Sequence, residues 1–240
     1  MKNWLKRVSG VSTNQDTRDR WVAEVLATLP AGTRILDAGA GEQRYRKHCA
    51  HLQYVAQDFG GYDGRGNSQG LQVGSWNYGS LQIVSDITAI PEPAGSFDAI
   101  MCTEVLEHVP DPLKALDEFA RLLRSGGQLI LTAPFASLVH FAPYHFASGF
   151  SRYWYEHHLA ARGMEITELR ANGDWFSYLW QELLRLPSMG RRYRDWSWPW
   201  AYACVAFAAS YFAARKLGRG ARGDAADLAC FGFHVRATKR

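Results

Sequence analysis

A short apolar run that ends in an acid and two alternating glycines constrains this chain more than any other feature. The sequence Arg34-Ile-Leu-Asp-Ala-Gly-Ala-Gly41 predicts a buried strand that runs into a tight turn. Glycine at positions 39 and 41 permits positive φ and removes the Cβ that would hold a ligand away from the backbone. Gln43 to His51 is then expected to form a helix whose first amides face the turn. This order is typical of a nucleotide-binding α/β fold with a doubly wound parallel sheet.

Two further predicted strands also end in an acid. Gln53–Gln57 runs into Asp58, which is placed to accept hydrogen bonds from ribose hydroxyls. Leu81–Ser85 runs into Asp86-Ile87, where the acid and its neighbouring amide suit an adenine amine and ring nitrogen, and Ile87 suits the ring face. Because the carboxyl ends of such strands share one edge of the sheet, we expect the three acids to meet there.

A dinucleotide is disfavoured as the ligand. Its fingerprint needs a third glycine, and Arg44 occupies that position. An NAD-dependent oxidoreductase is therefore the weaker interpretation of the glycine turn.

Hydrophobic periodicity gives the remaining elements. The predicted helices are Asp16–Leu29, Pro112–Leu123, Tyr153–Ala161, Trp175–Leu186 and Trp196–Leu217. The predicted strands are Phe97–Cys102, Gln128–Thr132, Met164–Arg170 and Ala229–Thr238. Phe59 to Ser80 is too rich in glycine for a helix and too aromatic for a disordered linker, so we expect an irregular excursion over the strand tips.

Several motifs follow one another along the chain. They are Asp37-x-Gly-x-Gly, Asp58, Asp86-Ile, Phe97-Asp, Glu104-Val-Leu-Glu-His-Val and Leu122-Leu-Arg-Ser-Gly-Gly. Together they resemble the small-molecule class I methyltransferases, which use S-adenosyl-L-methionine and release S-adenosyl-L-homocysteine. The resemblance covers about residues 33–135 and implies a mostly parallel seven-stranded sheet with an antiparallel last strand. One departure is Gln43, where the family often has another glycine.

The resemblance places the cofactor across the tips of strands 1 to 4. The residues expected to bind it are Asp37, Gly39, Ala40, Gly41, Asp58, Phe59, Asp86, Ile87 and Thr103. No metal site and no disulfide frame are expected, since the four cysteines are scattered without paired spacing.

Methyl transfer from a sulfonium requires a base only when the acceptor still carries its proton. Imidazole is the natural base near neutral pH. His145 is the first candidate and His140 the second, because both lie on the loop after strand 5. His108 follows strand 4 and is expected more often to hold its loop than to take a proton. Glu104, at the tip of strand 4, orients the cofactor or the acceptor, or else belongs to a buried ion pair.

The expected organisation is a single methyltransferase domain over residues 1–240. It comprises an N-terminal helical segment (1–32), a cofactor-binding core (33–173), a helical lid inserted between strands 6 and 7 (174–217) and the last strand (218–240). Residues 176–240 carry 11 basic and 4 acidic side chains, so this part faces an anionic partner or simply solvent. Ala201 to Ala214 is apolar but shorter than the roughly 20 residues that span a bilayer. Burial in the lid, a homodimer contact and a peripheral membrane contact remain alternatives.

The function expected from the sequence is methylation of a small molecule, with a hydroxyl of a sugar-like or natural-product substrate preferred. A lipid or amine acceptor remains open, as does a non-catalytic scaffold that only binds S-adenosylmethionine. Nucleic acid is not expected, because the basic side chains are not interleaved with aromatic ones as in a stacking groove. The N-terminus lacks the features of a signal peptide, which favours a cytoplasmic protein.

Overall fold

The computed structural model of the chain describes residues 14–193, 208–210, 212–213, 216–218 and 225–240. The chain forms two compact units, one of Met1–Asn172 with Gly232–Arg240 and the other of Gly173–Phe231. Most of the predicted helix Trp196–Leu217 and of the apolar run within it lies outside the described residues. None of the helices that the structure describes has the length and apolar character needed to cross a membrane.

The first unit is built on one seven-stranded sheet. Its strands are β1 (Arg34–Ala38), β2 (Gln53–Asp58), β3 (Ile83–Val84), β4 (Phe97–Thr103), β5 (Leu123–Pro134), β6 (Met164–Asn172) and β7 (Gly232–Lys239). Their order is β3-β2-β1-β4-β5-β7-β6. The first five strands pair in parallel, and β7 is antiparallel to both β5 and β6. The predicted fold class, a mostly parallel seven-stranded sheet with an antiparallel last strand, is confirmed.

The central strands are continuous apolar runs in the sequence because both faces of the sheet are buried there. Ile35 and Leu36 of β1, and Ile100 and Met101 of β4, are completely buried. On one face Ile35 and Met101 meet helix α1 (Asn14–Ala27), whose apolar side chains recur at helical spacing. The centre of the sheet is therefore held rigidly, and its strand ends are fixed in place.

The other helices are α2 (Pro112–Leu122), α3 (Arg152–Ala160), α4 (Trp175–Tyr193) and α5 (Ala225–Leu228). The first three begin at residues that cap them. The side chains of Asp111 and Ser151 accept amide hydrogen bonds from the first turns of α2 and α3. In the second unit, Asp174 accepts a hydrogen bond of 2.8 Å from the amide of Ser177 and starts α4 in the same way.

The predicted helix at Gln43–His51 is wrong. Only a single 3-10 turn forms there, at Arg46–His48. Gln43 has a φ of 55°, a left-handed conformation that interrupts a right-handed helix. Predicted strand 3 also shrinks to two residues, Ile83–Val84, and the last strand starts three residues later than predicted, at Gly232.

Gln43 ties the glycine-rich excursion (residues 59–80) to the sheet. Its side-chain amide donates to the carbonyl oxygens of Tyr78, at 2.7 Å, and Ser80, at 2.9 Å. Its oxygen accepts from Arg46 at 2.9 Å. The residue thus adopts a conformation that favours glycine, while its side chain makes contacts that glycine lacks.

Substitutions of Gln43 separate these two effects. We expect Gln43→Gly to be more stable to unfolding than Gln43→Ala by about 1 kcal/mol, because only glycine adopts this φ without strain. Both variants should expose the excursion to proteolysis, since both lose the bonds to Tyr78 and Ser80. Urea unfolding and limited proteolysis measure these quantities. Equal stability of the two variants, or cleavage as slow as in the wild type, would contradict this account.

Candidate active site

The carboxyl ends of β1, β2 and β4 border a cavity of about 710 Å³. Small-molecule sites commonly have volumes of about 300–1,000 Å³. All nine residues predicted to bind the cofactor line this cavity, and so do Glu104, His108 and His140. His145, the first candidate for the base, is absent from the lining and packs behind His140, with ring centroids 5.0 Å apart.

The glycine turn is bonded to the end of β2. The amides of Gly39 and Ala40 donate to the carbonyl oxygen of Gln57, at 2.9 Å and 2.8 Å. Both glycines have positive φ, 73° at Gly39 and 50° at Gly41. A Cβ at Gly39 would lie 2.6 Å from Val105, and one at Gly41 would lie 2.8 Å from Trp76. The turn requires glycine because of these neighbours as well as its backbone conformation.

Asp58 at the end of β2 is buried, with 6% of its surface exposed. Its Oδ2 accepts from the amide of Gly41 at 2.9 Å, and its Oδ1 accepts from the amide of Gly60 at 3.1 Å. Burial raises the pKa of Asp58, while these amides act in the opposite direction. Each carboxylate oxygen has a second acceptor site, so the group retains capacity for ligand hydroxyls.

Asp37 is the more deeply buried acid, with only 2% of its surface exposed. Burial raises its pKa to about 7, and the nearby charge of Asp58 acts in the same direction. The hydroxyl of Tyr54 donates to its Oδ2 at 2.5 Å and partly opposes this effect. A cationic ligand in the cavity would favour the ionised form of this carboxyl.

The other predicted cofactor residues differ in exposure. Ile87 is buried, whereas Asp86 and Phe59 are exposed. Asp86 uses its Oδ1 to accept from the amide and the hydroxyl of Thr88, both at 2.8 Å. The edge of β3 therefore offers the cavity an apolar side chain beside a partly engaged carboxylate. Thr103, the last residue of β4, is half-buried at the cavity wall.

Glu104 is fixed by partners on both oxygens. Its Oε1 accepts from the hydroxyl of Thr132 at 3.0 Å, and its Oε2 lies 2.6 Å from a guanidinium nitrogen of Arg18. Its backbone has a φ of 55°, and its amide donates to the carbonyl of Thr132 at 2.8 Å. This arrangement joins β4, β5 and α1 at the cavity. The ion pair is half-buried, since 27% of the Glu104 side chain and 15% of the Arg18 side chain are exposed.

The histidine cluster (His108, His140 and His145) occupies another part of the same unit. His108 ends a 3-10 turn, Leu106–His108, and the other two lie on the loop after β5. Burial lowers the pKa of His108 to about 3, and the neighbouring ring of His140 adds to the effect. Burial also lowers the pKa of His145. His108 and His145 are therefore neutral at pH 7.

Glu107 lies beside the histidine cluster and has 1% of its surface exposed. Its Oε1 is 3.7 Å from Nε2 of His108 and 4.0 Å from Nε2 of His140. Neither carboxylate oxygen accepts a hydrogen bond from any residue that the structure describes. Burial raises the pKa of Glu107, and the charge of Glu104 adds to the increase.

Sequence reasoning missed several side chains that line the cavity or contact the residues lining it. Arg18, Tyr54 and Glu107 lie in segments that were interpreted as a covering helix, a strand and a motif, with no role for these side chains. Aromatic rings of the excursion and the β5 loop form one wall of the cavity, and they are Tyr62, Trp76, Tyr78 and Phe141. The density of aromatic residues in the sequence signalled such a wall, but not which rings would meet.

A cavity at the carboxyl edge of a seven-stranded sheet, with acids in the last residues of β1 and β2 and a single antiparallel strand, is typical of the class I S-adenosylmethionine-dependent methyltransferases. The chain belongs to this family, since a family model described as a methyltransferase domain matches residues 13–218. The predicted family and its cofactor, S-adenosylmethionine, are thereby confirmed.

Curated relatives include ubiquinone biosynthesis O-methyltransferases of Xanthomonas and Xylella. The protein of Xanthomonas axonopodis pv. citri is 40% identical over 106 residues, which are 43% of this chain and 44% of the relative. That of Xylella fastidiosa strain M23 is 35% identical over 109 residues, 42% of each chain. The match thus spans less than half the length of these relatives.

Solved structures share the fold at low sequence identity. The YcgJ protein of Bacillus subtilis has a TM-score of 0.53 at 17% identity, covering 92% of this chain and 97% of its own. The [4+2]-cyclase SpnF has a TM-score of 0.53 at 18% identity, covering 96% and 85%. Phosphoethanolamine N-methyltransferase 2 of Haemonchus contortus has a TM-score of 0.52 at 15% identity, covering 93% and 52%. One of these proteins is a cyclase, so the shared fold does not by itself determine the reaction that a chain catalyses.

The raised pKa of Asp37 leads to a stability prediction. Its folded-state pKa of about 7 exceeds the ordinary 3.8, so the native state holds a proton that the unfolded state releases between these values. Stability contributed by this group therefore falls as pH rises from about 4 to 7. We expect Asp37→Asn to raise the melting temperature at pH 7.5 by several degrees, because about 1 kcal/mol corresponds to roughly 2–4 °C in a domain of this size.

Calorimetry from pH 4 to pH 8 tests this expectation. The gain from Asp37→Asn should vanish near pH 4 and level off above pH 7. Glu24→Gln, which removes an exposed carboxylate on α1, is the matched control and should show no such trend. A gain that is the same at every pH would show that Asp37 titrates normally.

Proposed function

We propose that this chain transfers the methyl group of S-adenosylmethionine to a hydroxyl of a ring-shaped small molecule. The observation that carries the proposal is one cavity lined by the acids of β1 and β2, an aromatic wall and histidine side chains. The acids suit an adenosyl cofactor, and the aromatic wall suits a flat or cyclic acceptor. The histidine side chains suit the removal of a hydroxyl proton.

In this proposal Asp58 accepts the ribose hydroxyls, and Ile87 packs against the adenine ring beside Asp86. Asp37 lies where a positive charge on the methionine part of the cofactor would stabilise its ionised form. Arg18 is the cation for the methionine carboxylate. Its side chain is 15% exposed, and its Nε donates to no residue that the structure describes. A guanidinium has five donors, so the pair with Glu104 leaves others for a ligand.

The relatives named as O-methyltransferases favour an oxygen acceptor. The aromatic wall favours an acceptor that contains a ring, either a phenol or a sugar, because both stack on aromatic faces. Positioning the oxygen in line with the methyl carbon and the sulfur supplies up to about 7–11 kcal/mol. The cofactor leaves as a neutral thioether, so no acid is required at the sulfur.

For the base we propose His140 in place of our first candidate, His145. His140 lines the cavity, and its Nδ1 lies 2.8 Å from the carbonyl oxygen of Leu138. A carbonyl only accepts, so this contact places the proton on Nδ1 and leaves the lone pair on Nε2. Such a nitrogen is suited to take a proton.

Three expectations about Gly173–Phe231 stay predictions. They are that this unit contains a helical lid, that it forms a homodimer contact and that it touches a membrane surface.

A ribose-dependent affinity tests the role of Asp58. We expect wild-type protein to bind S-adenosylhomocysteine about 10–100-fold more tightly than its 2′-deoxy analogue, the range for a hydrogen bond to a charged group. Asp58→Asn should lose most of this discrimination, because the two ligands differ only in the hydroxyl. Isothermal titration calorimetry measures both affinities, and Glu24→Gln should behave as the wild type. Unchanged discrimination in Asp58→Asn would place the ribose elsewhere.

An acceptor screen tests the reaction. Phenols, catechols, sugar nucleotides, primary amines and lipid headgroups are incubated with S-adenosylmethionine, and the products are identified by mass spectrometry. We expect methyl ethers, and a loss of about 10²–10⁴-fold in kcat/KM in His140→Gln, the usual contribution of a general base. Cofactor affinity should be unchanged, and His51→Ala, at an exposed histidine, is the control. Methylation of amines alone would overturn the hydroxyl acceptor, and cofactor binding without any product would favour a scaffold.

A further inference from the structure

The histidine cluster brings three potential ligands together. One ring nitrogen from each of His108, His140 and His145 lies within 4.8 Å of the other two. Two metal–ligand bonds of about 2.1 Å span at most roughly 4.2 Å, so small side-chain rotations bring these atoms to ligand distance. Sequence reasoning had predicted no metal site.

Hydrogen bonds to carbonyl groups fix the tautomers of two of the rings. Nδ1 of His108 contacts the carbonyl oxygen of Tyr144, and Nδ1 of His140 contacts that of Leu138 at 2.8 Å. Because a carbonyl oxygen cannot donate, both Nδ1 atoms carry a proton. His108 is neutral at pH 7, so it presents the lone pair of Nε2, and His140 does the same in its neutral form. An outer contact from one ring nitrogen to a carbonyl is typical of histidines that bind metal through the other.

The two Nε2 atoms face the carboxylate of Glu107, which is itself an acceptor. The separations from its Oε1, 3.7 Å and 4.0 Å, are too long for hydrogen bonds. Both oxygens of this side chain are buried, and no described residue donates to them. A buried carboxylate without a donor is costly, and acceptors facing one another do not relieve the cost. A cation bound there would provide a partner for the oxygens of Glu107 and for Nε2 of His108.

We propose that His108, His140, His145 and Glu107 form a binding site for a divalent first-row transition-metal ion such as Zn²⁺. Imidazole nitrogens and one carboxylate are ligands that this class of ion prefers. Two of the ligands, His108 and His140, also line the cavity, so the ion would lie at the wall of the acceptor site.

The role of the ion in catalysis rests on the proposed function. A hydroxyl bound to a divalent ion loses its proton more readily, as bound water does. The proton passes to solvent, the acceptor oxygen forms its bond to the methyl carbon, and the carbon–sulfur bond breaks to leave the neutral thioether. His140 then holds the ion instead of taking the proton itself.

Metal binding is measured independently of activity. Untagged protein is stripped with a chelator and dialysed against Zn²⁺, and bound metal is counted by atomic emission. Co²⁺ serves as a second probe through its visible absorption. We expect one equivalent per chain and a higher melting temperature with Zn²⁺. His140→Gln and Glu107→Gln should bind at least 10-fold more weakly, whereas the control His51→Ala should bind as the wild type does.

Circular dichroism establishes that each variant is folded, and a variant that fails this test is replaced by His108→Gln. No stoichiometric binding in the wild type, or equal binding in the cluster variants, overturns the site. S-adenosylhomocysteine affinity should survive chelation, because Asp58 is not one of the proposed metal ligands. If metal binds but no acceptor is methylated, the proposed function fails and the site stands. If methylation is indifferent to chelation, the ion has no catalytic role and His140 remains the base.

Discussion

The cavity depends on how the glycine turn is bonded to the end of β2. Amides of Gly39, Ala40 and Gly41 donate to Gln57 and Asp58, so the ends of β1 and β2 are joined at the edge of the sheet where both acids line the cavity. The bonds also commit these amides, which therefore do not serve as an anion cradle of the kind a helix N-terminus provides. A carboxylate on a ligand must find a side-chain cation instead. Arg18, brought in by α1 and held by Glu104, meets that need.

Buried ionisable groups give this cavity its chemistry at a cost in stability. Asp37 and Glu107 are each almost fully excluded from solvent, and burial raises the pKa of both. Burial disfavours the ionised form of each carboxyl group while the cavity is empty, and a bound cation would stabilise that form. Such unfavourable placements persist only where the surrounding structure fixes them, which here is the rigid centre of the sheet. The same placements are typical of functional sites.

Periodicity and strand-end acids were sufficient to predict most strands of the sheet and the acids of β1 and β2, and the family resemblance implied the antiparallel last strand and the cavity residue Thr103 of β4. These features are local in sequence, so a short window contains them. Gln43 shows where local reasoning fails. Its left-handed φ depends on bonds to Tyr78 and Ser80, more than thirty residues away, and no helix signal reveals them. The histidine cluster fails for the same reason, because His108 and His140 meet only through the loop after β5.

The two parts of the cavity therefore differ in kind. Around Asp37 and Asp58, acids and amides recognise a ligand through hydrogen bonds and charge. Around the histidine cluster, no described residue donates to the buried oxygens of Glu107 or to Nε2 of His108. A hydroxyl proton satisfies one lone pair on these atoms, whereas a divalent ion satisfies several at once. Since Glu107 is too far from both Nε2 atoms to share a proton with them, the ion accounts for more of the observed geometry than a single base does.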